Sequence, residues 1–131
     1  MKQDSSLIKV NYILYKRLIR EWFSVKELAK LWVSEINRSN SIRLMLKELH
    51  FSFCIITDYD RLYLSIEDDS LQLLAEMDVF PGKRLIGKEE IFCSIFSGQR
   101  KLRQAVDNNE IESTLTFREQ LLLESLFYLA G

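Results

Sequence analysis

The chain is poor in the residues from which most catalytic and metal sites are built. It has one histidine, His50, and two cysteines, Cys54 and Cys93. A lone histidine excludes any Ser-His or Cys-His arrangement not built around it, and most zinc sets. His50 falls at a helix-to-strand junction, which suits a structural role. Two distant cysteines give neither a disulfide framework nor a zinc spacing. Each lies in an apolar run and reads as a small buried hydrophobe of a reducing compartment, so a cytoplasmic location is expected. The four glycines fall in no G-x-G-x-x-G or P-loop spacing, which leaves no phosphate cradle. No stretch approaches the ~18 to 20 apolar residues of a membrane span. The opening Met1–Ser6 meets charge again at Lys9, so no signal-peptide core is expected.

What is present is an ordinary globular balance: 131 residues, 47% apolar and 28% charged. That suits one domain over 1–131 with a proper core. Net charge is -1 overall, but residues 1–49 hold ten Lys/Arg against five Asp/Glu, and residues 51–131 hold eight against fourteen. The basic residues of the first half are spread at helical intervals, which favours a solvated face over a nucleic-acid surface.

Hydrophobic periodicity places the elements. Leu7, Val10, Leu14, Leu18 and Trp22 predict a helix over 5–22, an N-terminal extension. Ile8, Tyr12, Ile13, Tyr15 and Ile19 broaden its apolar face enough to pack on more than one side. Ser24-Val25-Lys26-Glu27 is a capping box that opens a second helix, with Phe23 and Leu28 at staple positions and Leu28, Leu31, Trp32 and Ile36 inward. The polar run Asn37–Ser41 breaks it, and a third stretch follows with Ile42, Met45, Leu46 and Leu49 inward. The period then drops to two over Phe51–Thr57, Leu62–Glu67 and Leu71–Asp78, separated by turns at Asp58–Asp60 and Asp68–Ser70. This predicts an antiparallel three-strand meander with one buried face, and Lys83–Ile86 adds a possible short strand. A helix over 88–97 stops at Gly98, a short helix over 100–107 closes at Asn108-Asn109, and a strand runs Ile111–Phe117. The terminal helix, Arg118–Ala130, is apolar around most of its circumference. Such a helix is deeply buried, docked on a partner or closing an apolar cavity.

The motifs carry little chemistry. Asp58, Asp60, Asp68 and Asp69 lack the calcium-loop pattern and read as turn residues. Glu89-Glu90 is a favourable helix start rather than a catalytic pair. No metal site, cofactor or catalytic residue is expected. The segment from Val25 through Arg43, Leu46 and Leu49 has the outline of a winged helix-turn-helix. Its recognition helix would offer only Arg38, Asn40, Arg43 and Lys47, and far more chain follows than a wing needs.

From Ile42 to Tyr128 the order of elements resembles the sterol carrier protein type two, or lipid-transfer, domain family. The resemblance rests on the three meander segments, the apolar helix Glu89–Phe96 ending Ser97-Gly98, then Leu102-x-x-Ala105, Ile111–Phe117 and Leu121–Leu129. Two features depart from that pattern. Asn109-Glu110-Ile111 and Thr116-Phe117-Arg118 stand where the family has glycines about its late strand, and the helix over 5–22 is additional. The resemblance implies an α+β fold in which the terminal helix is a lid over an apolar tunnel between sheet and helices. By position the tunnel is lined by Phe53, Ile55, Leu64, Leu73, Phe92, Ile95, Phe96, Leu122, Leu126 and Leu129, residues that equally fill a closed core. A polar headgroup would meet Arg100, Lys101 or Arg103, just past Gly98. The expected function is non-enzymatic binding of a fatty acyl or sterol-like ligand. The alternatives are an interaction module, homodimeric through the N-terminal helix, and a winged-helix DNA-binding regulator.

Overall fold

The computed structural model describes residues 24–76 and 82–130. The helix expected over 5–22, the staple residue Phe23 and the far end of the third meander segment lie outside the described residues.

Ser24 opens helix α1 (Val25–Arg38) as expected, its hydroxyl accepting from the Glu27 amide. Val25, Leu28, Ala29, Trp32 and Ile36 form the buried stripe. Leu31, expected inward, stands 47% exposed, because Val25 and Ala29 centre the face one position round the helix. The polar run does not simply break the helix. Ser39 donates its amide to the Ile36 carbonyl and caps the short helix α2 (Asn40–Leu46) through its side chain. The Asn37 side chain donates to the Leu71 carbonyl (2.8 Å) and accepts from the Leu71 amide (2.9 Å). On α2, Ile42 and Leu46 are buried but Met45 is half exposed, another departure from the expected face.

The meander is β1 (Phe51–Ile56), β2 (Arg61–Glu67) and β3 (Ser70–Leu74). Its register brings Phe51 opposite Ile66, Phe53 opposite Leu64 and Ile55 opposite Leu62, then Leu64 opposite Leu73 and Ile66 opposite Leu71. Alternation therefore assembles one apolar face. At the first turn the Thr57 hydroxyl accepts from the amides of Tyr59 and Asp60. At the second, Asp68 and Asp69 take φ of 50° and 60°, the two left-handed residues that a two-residue hairpin needs to match strand twist.

The remaining strands are β4 (Arg84–Gly87) and β5 (Ile111–Ser113), giving a five-stranded sheet in the order β3-β2-β1-β4-β5. The fold is α+β, with a meander plus two further strands. One pairing, β4 with β1, is parallel, so the sheet is mixed rather than wholly antiparallel. Helix α3 (Glu89–Phe96) ends in a Schellman stop: Gly98 at φ 78° donates to the Ile95 carbonyl and Gln99 to that of Ser94. Helix α4 (Leu102–Asp107) repeats the device with Asn109 at φ 60°. Gly87 is required by space, since a Cβ there would stand 2.9 Å from the Glu110 carbonyl oxygen.

The last strand is shorter than its alternation suggests. Thr116 and Glu119 form a capping box, the Glu119 amide donating to the Thr116 hydroxyl and the Thr116 amide to the Glu119 carboxylate. This starts helix α5 at Phe117 (Phe117–Ala130), so Leu115 and Phe117 belong to the turn and helix. Burial acts to raise the Glu119 carboxyl. Its hydrogen bonds with Lys83 and with the Thr116 amide and hydroxyl, and the Lys83 charge, outweigh it and hold the carboxyl below its ordinary value.

Candidate functional site

The apolar face of the sheet is covered by α1 and α3, and α5 docks beyond them against α1 and α4. A three-ring cluster joins the helices. Trp32 of α1 stacks on Phe127 of α5 at 4.5 Å between centroids and meets Phe96 of α3 edge-on at 5.4 Å. Phe96 and Phe127 close the triangle at 5.2 Å, and the Trp32 indole N–H donates to the Leu126 carbonyl. Pairs of this geometry contribute ~0.5 to 1.5 kcal/mol each beyond the area they bury. The only polar atom of the trio is thus satisfied within the helical layer.

Of the residues expected to line a tunnel, Phe53, Ile55, Leu64, Phe92, Ile95 and Leu126 are 0 or 1% exposed and, with Phe96, share one buried cluster. Leu73 and Leu122 are partly buried against that cluster. Leu129 is half exposed near the end of α5 and does not join it. The three cations past Gly98 have separate fates. The Arg100 guanidinium pairs with Glu110, Arg103 lies 4.4 Å over the Phe117 ring, and Lys101 is exposed at the start of α4.

Trp32 and Phe127 were not singled out as site residues in the sequence. Their signal was weak but present: both are aromatics on the inward stripe of helices flanking the meander.

A concavity of about 730 Å³ among the described residues is polar. It lies where the Asp58-Tyr59 turn meets the start of α3, with Lys88, Glu90 and Arg100 on its walls. Its carboxylates are structural. Asp58 accepts from the Glu89 amide at 2.9 Å and so caps α3, while Glu89 accepts from the Val25 amide at 3.0 Å and supports the start of α1. The sequence reading of Asp58 as a turn residue and Glu89 as a helix-start acid is thereby extended to two contacts between distant elements.

The cysteines are both buried and unbridged. Cys54 lies on the face of the sheet away from the helices, where burial pushes its thiol up despite the nearby Arg61 and Arg84. A raised thiol is a poor nucleophile at neutral pH. Among the described residues no group of three or more His, Cys, Asp or Glu is placed to hold a metal ion, and no helix is long and apolar enough to cross a membrane. Arg43, one of the bases offered by the DNA-binding reading, is held by Asp69 of the β2–β3 turn at 3.1 Å.

No protein-family model matches the chain, and no curated protein matches its sequence. Solved structures do match. A UbiJ-SCP2 ubiquinone synthesis protein superposes with a TM-score of 0.62 at 15% identity, covering 77% of this chain and 85% of the other. Palmitated SCP2L2 from Aedes aegypti gives 0.59 at 13% identity, over 81% of this chain and 96% of that one. Sterol carrier protein 2 from Yarrowia lipolytica, in its apo form, gives 0.56 at 10% identity, over 77% and 87%. The meander, the stop at Gly98 and the helix pair α4 and α5 are therefore parts of one recognisable architecture: the chain has the fold of the sterol carrier protein type two domains.

Proposed function

We propose that the protein is a non-enzymatic binder of an apolar ligand, a fatty acyl chain or a sterol-like molecule, held between the sheet and the helices. The observation that carries this reading is the way α5 closes the domain. It packs on α1 and α4 and closes the Trp32–Phe96–Phe127 triangle, and its first turn is tied to Lys83 and to Ser113 of β5, so lifting its C-terminal part would leave the strand pairing of the meander intact. A ligand entering there meets Phe53, Ile55, Leu64, Leu73, Phe92, Ile95, Phe96, Leu122 and Leu126, with Leu129 at the rim. The palmitated state of one structural neighbour supports the choice of ligand class.

Magnitudes support it as well. Burying a long acyl chain releases ~0.8 kcal/mol per methylene, on the order of 10 kcal/mol for a chain of a dozen or more. Parting three ring pairs costs a few kcal/mol beyond the apolar area they bury, which the ligand would cover again, with the entropy of ordering the chain to be met in addition. The domain then works as a cytoplasmic carrier or receptor, and no side chain is asked to make or break a bond.

Native mass spectrometry of freshly purified protein, followed by denaturing extraction, tests the proposal. The expected result is an excess mass that is released as a lipid, together with saturable binding of a fluorescent acyl probe at micromolar protein. A bare mass combined with no saturable binding overturns it.

A further inference from the structure

The interior that α5 closes holds almost no polar chemistry. Among the described residues no Lys, Arg, His, Asp or Glu is buried, and the two buried polar side chains are serines. Ser65 lies on the face of the sheet away from the helices, its hydroxyl accepting from that of Ser52. Ser97 donates its hydroxyl to the Ser94 carbonyl at the end of α3. Among the described buried residues this leaves one further side-chain N–H or O–H, the indole N–H of Trp32, on a side chain 5% exposed.

That donor is held loosely. Its acceptor, the Leu126 carbonyl, stands at 3.4 Å, beyond the roughly 2.7 to 3.2 Å usual for such a bond. The acceptor also belongs to the less tethered end of α5. At the start of the helix Glu119 pairs with Lys83, and the Gln120 amide donates to the Ser113 hydroxyl and the Leu115 carbonyl. Towards its end, Leu126 and Phe127 meet Trp32. Lifting that end takes the acceptor away and leaves the indole donor bare, which costs more than the bond itself is worth. Resting on the carrier reading above, we infer that the Trp32 indole N–H receives the polar end of the ligand. It thereby selects a lipid ending in a neutral acceptor, an ester, ketone or hydroxyl, over an ionised fatty acid or a plain hydrocarbon.

Two requirements set that class. The first is an acceptor. A site built to hydrogen-bond its ligand rejects the analogue that lacks the group, because its own polar atom is left unpaired. The second is neutrality. A carboxylate drawn into an apolar layer keeps its charge only at high cost unless a cation meets it, and the described residues bury no cation. Of the three cations past Gly98, Arg100 pairs with Glu110, Arg103 lies over the Phe117 ring at the tied end of α5, and Lys101 is exposed. The polar end of the ligand therefore rests where Trp32, Phe96 and Phe127 meet, with its apolar body inward.

Displacement of a fluorescent acyl ester from the full chain, at a pH where palmitate is ionised, decides the matter. Methyl palmitate and hexadecanol should act at concentrations about tenfold or more below those of palmitate and hexadecane. Trp32→Phe keeps a ring against Phe127 and removes the N–H. In that variant the gap between ester and hexadecane should close to about twofold, chiefly because hexadecane no longer strands a donor. If Trp32→Phe does not fold, the indole proton resonance of Trp32, assigned with Trp22→Phe, carries the same test. It should move downfield with methyl palmitate and upfield with hexadecane. Equal displacement by ester and hexadecane overturns the inference, as does palmitate matching the ester. So does a gap unchanged in Trp32→Phe, or one indole shift common to both ligands. Each of these results leaves the carrier reading standing, whereas a chain that binds no probe overturns both.

Discussion

Helices α1 and α5 are both 14 residues long, yet they relate to the domain in opposite ways. Helix α1 has one apolar stripe, a capped start and an outer face dominated by Lys26, Glu27, Lys30, Ser34 and Glu35, with Leu31 the exception. Helix α5 buries Leu123, Leu126 and Phe127 and still shows Phe117, Leu121, Tyr128 and Leu129 to solvent. An amphipathic helix is accounted for by its own fold. A helix apolar on both sides has more hydrophobic surface than the fold uses, and that excess is a mark of function or of a further contact. Under the proposed function, the difference makes α5 the element that would open and α1 the one that would stay in place.

The largest effect tests the joint between them. Trp32→Ala removes the ring shared by both helices and should cost about 3 to 5 kcal/mol in urea unfolding. Its amide exchange should rise most in α5. Equal loosening of α1 and α5 would mean that they open as one unit and would erase the contrast.

A smaller effect is expected at the start of α1. Glu89→Ala leaves the partly buried Val25 amide without its acceptor and should cost about 1 to 2 kcal/mol. Asp58→Ala, which uncaps α3, should cost about 1 kcal/mol. Both losses should spare the acyl-probe affinity, since neither side chain is among those proposed to meet the ligand.

The start of α5 should respond to acid. The Glu119 carboxyl is held below its ordinary value, so the folded state favours the ionised form. Its contribution is full above the unfolded carboxylate value of ~4.3 and is lost as pH falls through the lower folded value. Glu119→Gln should therefore flatten the acid limb of a stability-pH profile, and Thr116→Ala should cost about 1 kcal/mol through the cap. An acid limb unchanged in Glu119→Gln would assign it to other carboxylates.

The smallest effect belongs to the outer face of α1. Leu31→Ser should shift stability by no more than about 0.5 kcal/mol, since the side chain is half exposed. A loss above 1 kcal/mol would give α1 a second working face and remove the distinction from α5.

Local signals in the chain were sufficient for the meander, the Ser24 cap and the Gly98 stop, because each is a pattern within a few residues. What was not legible depends on partners distant in sequence. The period of Arg84–Gly87 specifies a strand but not that it lies parallel to β1. The alternation over Ile111–Phe117 continues past the true end of β5, and only the Thr116-x-x-Glu119 capping box reveals where the helix takes over. Leu31 and Met45 were placed inward because period alone defines a stripe only to within a position or so. The candidate site is the hardest case. Core filling and ligand contact select the same apolar residues, so Phe53 or Ile95 reads identically for either, in the sequence and in the packed core alike.

The two hydrogen bonds between Asn37 and Leu71 have a consequence for the company the protein keeps. Strand β3 ends the sheet on one side, and the edge of a sheet invites other strands to add to it and build aggregates. At Leu71 that invitation is already answered: the Asn37 amide occupies both the donor and the acceptor that an incoming strand would need. At the opposite edge, β5 offers three residues, a short template. A single asparagine in a polar break between helices thus works as a guard against polymerisation, leaving the apolar surfaces at the α5 end free for their own contacts.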